Sequence, residues 1–262
     1  MIHQHRLYEA LVDVPAGVEP GAEVVTVAAP AKWLDLGAAN RWKMFDDRVE
    51  SQTAAAGSIS VVVAPGQVVD AVTLLNVAGA VARVTVTDPI EGLVYEREES
   101  LIEAGADDWY EWFFAPVERV TDLTLLDLPA YGAGEVSVVI DNFSDIAAVG
   151  HVVLGMTAEV GVAQYGSSVG ITDFSRKERD SFGNAVVVPR SFSKRAEFDV
   201  WLETRLVGVV QRLLASLRAR PVVWIGESSM EATILFGFYR DFDITISGPE
   251  ISDAVITIEG LV

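Results

Sequence analysis

Short apolar runs with polar residues at every second position fill the first half of this chain, and they constrain the fold more than any other feature. In the segment 81–87, for example, Arg83, Thr85 and Thr87 alternate with apolar residues. A period of two is typical of a strand with one buried face, whereas a helix repeats about every 3.6 residues. Strands are predicted at 23–28, 58–64, 69–77, 80–87, 92–97, 109–114, 117–126 and 135–140. Short strands at this spacing indicate an antiparallel β-sandwich of jelly-roll type.

Charge is distributed unevenly along the 262 residues, and this indicates two domains. Residues 1–150 carry 8 Lys and Arg against 24 Asp and Glu, a net charge of −16, whereas residues 151–262 carry 11 against 14, a net charge of −3. A chain of this length also exceeds the usual size of one domain. We predict a β-sandwich at 23–150 and a second domain at 151–262, preceded by an extended N-terminal arm at 1–22.

The overall charge and the residue types argue against several classes of protein. A formal net charge of −19 disfavours specific nucleic-acid binding, which needs clustered Lys and Arg. The chain has no cysteine, so it can form neither a disulfide nor a cysteine zinc site. No apolar run is long enough for a membrane helix, and the first residues lack the pattern of a secretory signal. We expect a protein with no membrane partner that stays in the cytoplasm until it is assembled.

Residues 151–262 follow a different pattern, in which strands accompany one helix. The helix is predicted at 204–220, and its apolar stripe consists of Leu206, Val210, Leu213 and Leu217. Strands are predicted at 151–162, 191–202, 222–225, 234–246 and 254–261. The second half is therefore expected to be a β-domain that packs one helix.

Alternation along two of these strands assigns their faces. In 191–202, the residues expected to face the core are Ala196, Phe198, Val200 and Leu202. In 234–246, they are Phe242, Ile244 and Ile246. The residues between them, such as Asp199, Trp201 and Asp243, are expected on the opposite face of the sheet.

A long polar stretch at 165–184 contains three glycines and a basic run, and it is predicted to be a projecting loop or hairpin. In a ring of identical subunits, such a cationic arm can reach the acidic surface of its neighbour. The candidate subunit-interface residues of this arm are Tyr165, Arg176, Lys177, Arg179 and Arg190, and Lys194 and Arg195 extend the basic patch. The alternative interpretation is a solvated loop tip.

An aromatic segment at 109–114 is a second candidate site. As a strand, it would place Trp109 and Phe113 on one face and Tyr110 and Trp112 on the other. One face would belong to the core, and the other would bury against a neighbour or stack on sugar rings. Trp109, Tyr110 and Trp112 are therefore candidate interface or glycan-binding residues.

No catalytic, cofactor or metal site is predicted, and an enzyme is not expected. The segment 166–170 matches the G-x-S-x-G pattern of a nucleophile elbow, but a polar loop pattern follows Ser168 and every histidine precedes it. His3 and His5 could bind a metal as a pair, but the sequence offers no third ligand nearby. The glycine and lysine pattern of a phosphate-binding loop is also absent.

Four strings in the sequence resemble those of tail proteins from siphophages and prophages of Proteobacteria. They are LGAANRWKMFD at 36–46, YGSSVGI at 165–171, GFYRDF at 237–242 and IEGL at 258–261. Such proteins are similar to distal-tail and tail-tip subunits, whose tube-type domain is a β-sandwich with one packed helix that closes into rings. In addition, VDAVTLLNV at 69–77 resembles a strand of galactose-binding-type sandwiches.

The resemblance implies a structural subunit of a bacteriophage tail tip or baseplate, located in the virion. Such a subunit would form a homo-oligomeric ring around the tail channel and connect the tail tube to the hub or fibres. Its partners would be identical subunits and other tail proteins, and DNA would only pass through the channel. Two alternatives stay open, namely a carbohydrate-binding adhesin that contacts host surface glycans and a cell-wall hydrolase.

Overall fold

The computed structural model describes residues 1–14, 17–20, 31–46, 48–102, 109, 114, 119–179 and 183–261. The protein is mainly β, with several antiparallel sheets and one packed helix, as the sequence predicts. The strands of the first half are β1 (Ile2–His3), β2 (Arg6–Ala10), β3 (Trp33–Ala38), β4 (Thr53–Val63), β5 (Ala71–Ala78), β6 (Val81–Asp88), β7 (Gly92–Ser100), β8 (Leu123–Leu125) and β9 (Glu135–Gly155). A 3-10 helix, Asn40–Phe45, lies between β3 and β4.

The long strand β9 organises the N-terminal sheet because three other strands pair with it. β4 lies along one side of β9, from Thr53 opposite Val149 to Val63 opposite Val136. On the other side, β6 pairs with the first part of β9 and β5 pairs with the second part. The sheet order is β7-β6-β9-β5-β8, so β5 and β6 follow each other in the chain but lie beside different parts of β9.

The N-terminal sheet bends in the middle of β9. Phe143 on β9 has a φ of 54° and Gly57 on β4 has a φ of 79°, and the pairing register shifts beside Gly57. A Cβ atom at Gly57 would lie 3.2 Å from the carbonyl oxygen of Phe143, so glycine permits the close approach of the two strands. Asn142 supports the bend, because its Nδ2 donates to the carbonyl oxygen of Ile146 at 2.7 Å.

Alternate residues of these strands form the first hydrophobic core. On β6 the buried hydrophobic residues are Ala82, Val84 and Val86, which confirms the alternation predicted for this strand. Leu74 on β5 and Ile140 on β9 belong to the same cluster. The first half of the chain is therefore a sandwich built from one bent antiparallel sheet.

The second half has its own sheet with a helix on one face. Its elements are β10 (Val162–Ala163), β11 (Ser168–Asp173), β12 (Arg176–Arg179), β13 (Ala185–Val188), β14 (Phe192–Glu203), α1 (Val207–Ser216), β15 (Val222–Ile225), β16 (Ile234–Thr245) and β17 (Ile251–Gly260). The strand order is β10-β14-β17-β16-β15, and β11 pairs with β14 along the length that β10 leaves open. No helix in the described ranges is long and apolar enough to cross a membrane.

The helix α1 packs on this sheet through a second hydrophobic core. Val210 and Leu214 of α1 cluster with Phe198 of β14, Trp224 of β15 and Ile256 of β17. The predicted core face of β14 is confirmed, since the buried residues include Ala196, Phe198, Val200 and Leu202. Phe242 and Ile244 of β16 pack against the same cluster, also as predicted.

Two predicted core positions in the second half are wrong. Ile246 is exposed because β16 ends at Thr245, one residue earlier. Leu206 is also exposed, because it belongs to a 3-10 turn that precedes α1. The α-helical stripe instead places Leu214 in the centre of the core.

The N-terminal sheet extends beyond the boundary predicted at Gly150. β9 continues to Gly155 and pairs with β5 along this length, so the first part of the predicted strand 151–162 belongs to the first sheet. Gly150 is tightly packed inside this sheet, since a Cβ atom there would lie 2.1 Å from the carbonyl oxygen of Val49. The chain passes from the first sheet to the second between Gly155 and Val162.

The first residues form a hairpin rather than the predicted extended arm. β1 pairs with β2, and β2 pairs with β3, in a separate three-stranded sheet. Gln4 and His5 make the turn with φ values of 45° and 68°. The predicted strand 23–28 lies outside the described residues.

The aromatic segment 109–114 departs from its predicted strand at the two positions that the structure describes. Trp109 and Phe114 both have helical backbone conformation. The aromatic residues suggested a strand, but β-propensity depends strongly on the surroundings of each residue. The predicted faces of this segment therefore do not hold for these two residues, whereas Tyr110, Trp112 and Phe113 lie outside the described residues.

The two sheets meet at a joint with a small apolar cluster of its own. Leu75 of β5 packs there with Ile234 and Phe236 of β16. The rings of His151 and Phe236 lie 4.5 Å apart at their centroids. A cleft of about 300 Å³ lies beside this cluster.

Polar contacts also cross the joint. Lys194 Nζ forms an ion pair with the buried carboxylate of Asp122, and the hydroxyl of Thr121 donates to Glu231. A buried carboxylate is costly without a partner, so Lys194 belongs to the joint and not to an exposed basic patch.

Truncation of Leu214 tests the assigned core face of α1. Leu214 is 0% exposed, so Leu214→Ala removes buried methyl groups and leaves a cavity. We expect the free energy of unfolding to fall by about 2–5 kcal/mol, measured by urea denaturation with circular dichroism. The control is Val209→Ala on the same helix, where the side chain is 52% exposed. Equal losses in the two variants would contradict the assignment.

Candidate functional site

A two-stranded hairpin, β12 with β13, extends past the end of the C-terminal sheet. Arg176 pairs with Val188, and Arg179 pairs with Ala185. Every residue of both strands is exposed, and none of them belongs to one of the hydrophobic clusters of the described chain. We refer to residues 174–191 as the arm, of which the structure describes 174–179 and 183–191.

The arm continues the hairpin that β11 and β14 form at the sheet edge. β11 and β14 pair as far as Asp173 opposite Phe192, and the amide of Phe174 then donates to the carbonyl oxygen of Ser191 at 3.2 Å. From there to the pair of Arg176 and Val188, the register shifts by one residue. Such an irregularity bends a strand pair. Four strand residues then carry the arm about 13 Å farther from the sheet.

The structure places the predicted arm later in the chain than 165–184. Residues 168–173 form β11 and belong to the sheet, and Tyr165 lies in an exposed turn before it. Arg176, Lys177 and Arg179 lie on β12, and Arg190 lies on the returning segment, so these predicted interface residues share the arm. Arg190 is also fixed by its backbone, since its amide donates to Ser175 Oγ at 3.1 Å.

An ion pair holds the base of the arm. Lys177 Nζ lies 2.5 Å from Asp173 Oδ2, and the backbone amide of Ser175 donates to Asp173 Oδ1 at 2.8 Å. The hydrogen bond from Lys177, followed by those from Ser175, holds the pKa of Asp173 well below its ordinary value of 3.8. The carboxylate of Asp173 therefore stays charged over the whole neutral and mildly acidic range.

The other cations of the arm differ in their pairing. Arg176 binds Glu178 on the same strand, with 2.6 Å between Nη2 and Oε2. Arg179 and Arg190 form no ion pair with any residue that the structure describes. The arm therefore presents unneutralised positive charge near its tip and on its returning segment.

The two faces of the arm have different chemistry. Arg176 and Glu178, which neutralise each other, share a face with Val186 and Val188. The opposite face carries Lys177 and Arg179 beside Val187 and Ala185, and Val187 is 57% exposed. We refer to this second face as the cationic face of the arm.

The C-terminal sheet has an acidic surface on the side opposite α1. Cross-strand pairing places its residues in three rows, namely Glu197–Thr257–Asp241, Asp199–Val255–Asp243 and Trp201–Asp253–Thr245. We refer to these nine residues as the acidic face. Trp201 and Val255 are both exposed, so the face carries apolar surface among its carboxylates.

The carboxylates of the acidic face lack partners among the described residues. Glu197, Asp199, Asp241, Asp243 and Asp253 form no ion pair there. Diagonal neighbours on adjacent strands lie roughly 7–8 Å apart, close enough for like charges to repel. The face is therefore a concentrated negative surface that would accept a cationic partner.

The remaining predicted basic residues lie away from the arm. Lys194 pairs with Asp122 at the joint. Arg195 lies across Gly170 of β11, where an added Cβ atom would be 3.2 Å from its Nε atom. Lys194 and Arg195 therefore do not extend the basic patch of the arm, because Lys194 lies at the joint between the sheets and Arg195 lies against β11.

The other candidate positions have different surroundings. Ser168 begins β11 and is followed by strand residues, not by the helix that a nucleophile elbow requires. His3 Nε2 lies 4.0 Å from Glu19, and the ring of His5 lies 3.9 Å from that of Trp42. Within the described ranges, no three His, Asp or Glu side chains are grouped so that they could hold a metal ion.

Of the three aromatic candidates, the structure describes only Trp109. Its side chain is 78% exposed. Tyr110 and Trp112 lie outside the described residues.

The acidic face is the part of the site that the sequence did not single out. The alternation along 191–202 and 234–246 placed Asp199 and Asp243 on an outer face, but it could not show that both strands flank β17. Asp253 and Val255 on β17 join the two sets into one surface. Which residues meet on this surface depends on the order of the strands in the sheet. The alternation along a single strand carries no information about that order.

Comparisons with known proteins identify no family for this chain. No protein-family model matches it, and a search of curated proteins gives no match.

Removal of the Lys177 amine tests the geometry at the base of the arm. Because the bonded Lys177 lowers the pKa of Asp173, Lys177→Gln is expected to raise that pKa towards 3.8. Carboxyl carbon shifts followed by NMR during an acid titration measure the change. The control is Arg176→Gln, since Arg176 binds Glu178 instead.

The same contact predicts the direction of a pH effect. A folded-state pKa below the unfolded value gives a stabilising contribution that is present above the unfolded pKa and is lost as the pH falls through the folded pKa. The base of the arm should therefore loosen only in strong acid. A pKa of Asp173 that is the same in wild type and in Lys177→Gln would contradict this contact.

Proposed function

We propose that this chain is a non-enzymatic structural subunit of a bacteriophage tail tip. It assembles with identical copies into a ring around the tail channel and connects the tail tube to the hub or fibres. The observation that carries the proposal is the arm, which exposes Val186, Val187 and Val188 on a hairpin outside the hydrophobic cores of the described chain. The phage setting comes from the resemblance of the strings at 36–46, 165–171, 237–242 and 258–261.

Physical chemistry supports an assembly role for the arm. An isolated two-stranded hairpin is only marginally stable in water, and an exposed ion pair such as Lys177 with Asp173 adds little stability because solvent screens it. Three adjacent exposed valines on a strand favour contact with another protein surface. The arm therefore has the features of a segment that is completed by a partner.

The sheet edges support the same proposal. β7, at one edge of the N-terminal sheet, carries Glu96, Arg97, Glu98 and Glu99, and such charges oppose pairing with another chain. β13 carries only Ala185, Val186, Val187 and Val188. The contrast favours the arm as the place where copies meet.

In the assembled tail, DNA would pass through the channel without specific contacts. The net charge of −19 opposes adhesion of phosphate groups to the ring. Other tail proteins would bind the subunit at the surfaces that the ring leaves open.

Deletion of the arm tests the proposal. Residues 175–190 are replaced by Asn-Gly, which forms a tight two-residue turn after the pair of Phe174 and Ser191. We expect the wild-type chain to form an oligomer that the shortened chain cannot form, because the shortened chain lacks the interface. Light scattering coupled to size-exclusion chromatography measures the mass of each particle.

Two controls accompany this deletion. The urea midpoint of the shortened chain should stay close to that of the wild type, because the arm packs on neither core. Val187→Asp keeps the hairpin and changes only the exposed surface, so it should also weaken assembly. A wild-type chain that stays monomeric at every concentration, or an oligomer that persists in both variants, would refute the proposal.

A further inference from the structure

The acidic face and the arm have complementary surfaces within one chain. The cationic face of the arm places Lys177 and Arg179 beside the exposed Val187. The middle row of the acidic face places Asp199 and Asp243 on either side of the exposed Val255. We infer that the acidic face of one copy receives the cationic face of the arm of a second copy. This inference rests on the proposed function and specifies where the arm docks.

Charge favours this docking surface over others. Arg179 has no described ion-pair partner, and the carboxylates of Asp199 and Asp243 have none either. Opposite charges that meet across an interface steer the encounter and suppress wrong orientations. Docking would also relieve the repulsion among the carboxylates of the acidic face.

Apolar contacts complete the match. Val187 lies directly opposite Lys177 and diagonal to Arg179, and Val255 lies between two carboxylates. Contact between these valines would remove apolar surface of both copies from water while the charges pair around them. Trp201, in the next row, adds an exposed aromatic side chain of the type enriched at interfaces.

Within one copy the arm does not cover the acidic face, since Val187, Trp201 and Val255 are all exposed and no ion pair among the described residues joins the two surfaces. The arm leaves the sheet at Phe192, the first residue of β14. The acidic face lies farther along β14, from Glu197 to Trp201. The arm and the face that it fits are thus separated along β14 and do not pair within one copy, so the inferred contact is made with a second copy. Such a head-to-tail contact uses two different patches and builds a ring or a filament.

Engineered cysteines test the docking surface directly. The chain has no cysteine of its own, so a disulfide can form only where cysteines are introduced. Val187→Cys and Val255→Cys are made as separate single variants, mixed, allowed to exchange and mildly oxidised. We expect a covalent dimer on a non-reducing gel, in at least tenfold excess over the control mixture.

The control mixture combines Val187→Cys with Val62→Cys, an exposed valine on β4 of the N-terminal sheet. A dimer at the control level, in a mixture that still assembles through the arm, would overturn the docking surface and leave the proposed function standing. A mixture that does not assemble at all would overturn both.

Charge reversal provides an independent test. Arg179→Glu and Asp243→Lys should each weaken self-association about tenfold at low salt, and their combination should recover most of the loss. Sedimentation equilibrium measures the association constants. The control is Asp145→Lys, an exposed acid at the bend of β9, which should leave association unchanged. If Asp243→Lys behaves like this control while Arg179→Glu weakens association, the arm docks elsewhere and the inference is wrong.

Discussion

Burial of one face of β14, β16 and β17 against α1 is the interaction on which the surface of the C-terminal half depends. Side chains alternate along a strand, so the burial of Phe198 and Ile256 fixes Asp199 and Val255 on the other side. A shift of the pairing register by one residue would bring a carboxylate into the core, where an unpaired charge costs several kcal/mol. That cost is comparable with the total free energy of unfolding of a typical protein. The core therefore fixes the register, and the register fixes the acidic face.

The same constraint leaves the arm outside. β11 and β14 can belong to the sheet only as far as Asp173 and Phe192, where the regular pairing stops. Among the described residues, no helix of the same chain covers the valines of β13 beyond this point. The arm consequently keeps its backbone hydrogen bonds within the hairpin, but its side chains have no core to join. In the proposed assembly, a second copy would cover these side chains.

The sequence predicted those parts of the fold that depend on a single strand or helix. Alternation at 81–87 and 191–202 correctly identified buried positions because one face of each strand meets a core. The helical period failed at Leu206 and the alternation of 234–246 failed at Ile246, because both residues lie just outside their elements and a pattern does not mark where an element ends. The strand β11 was missed because it is short and contains a glycine, and its pairing with β14 involves residues 19 to 29 positions away in the chain. The acidic face depends on strand order and was out of reach for the same reason.

The connection between the arm and the C-terminal sheet would link the geometry of one copy to the symmetry of the proposed assembly. In a head-to-tail contact, the angle between the docking arm and its own sheet determines the rotation from one copy to the next. That angle is determined at the register shift between the pairs Asp173–Phe192 and Arg176–Val188. Pro189 lies in this segment, and its ring locks φ near −65°, while the amide of Arg190 is held by Ser175 Oγ. If copies meet through the arm as proposed, a restrained connection would repeat one rotation at every contact, which is the condition for a closed ring of fixed size. A flexible connection would instead allow rings and filaments of many sizes.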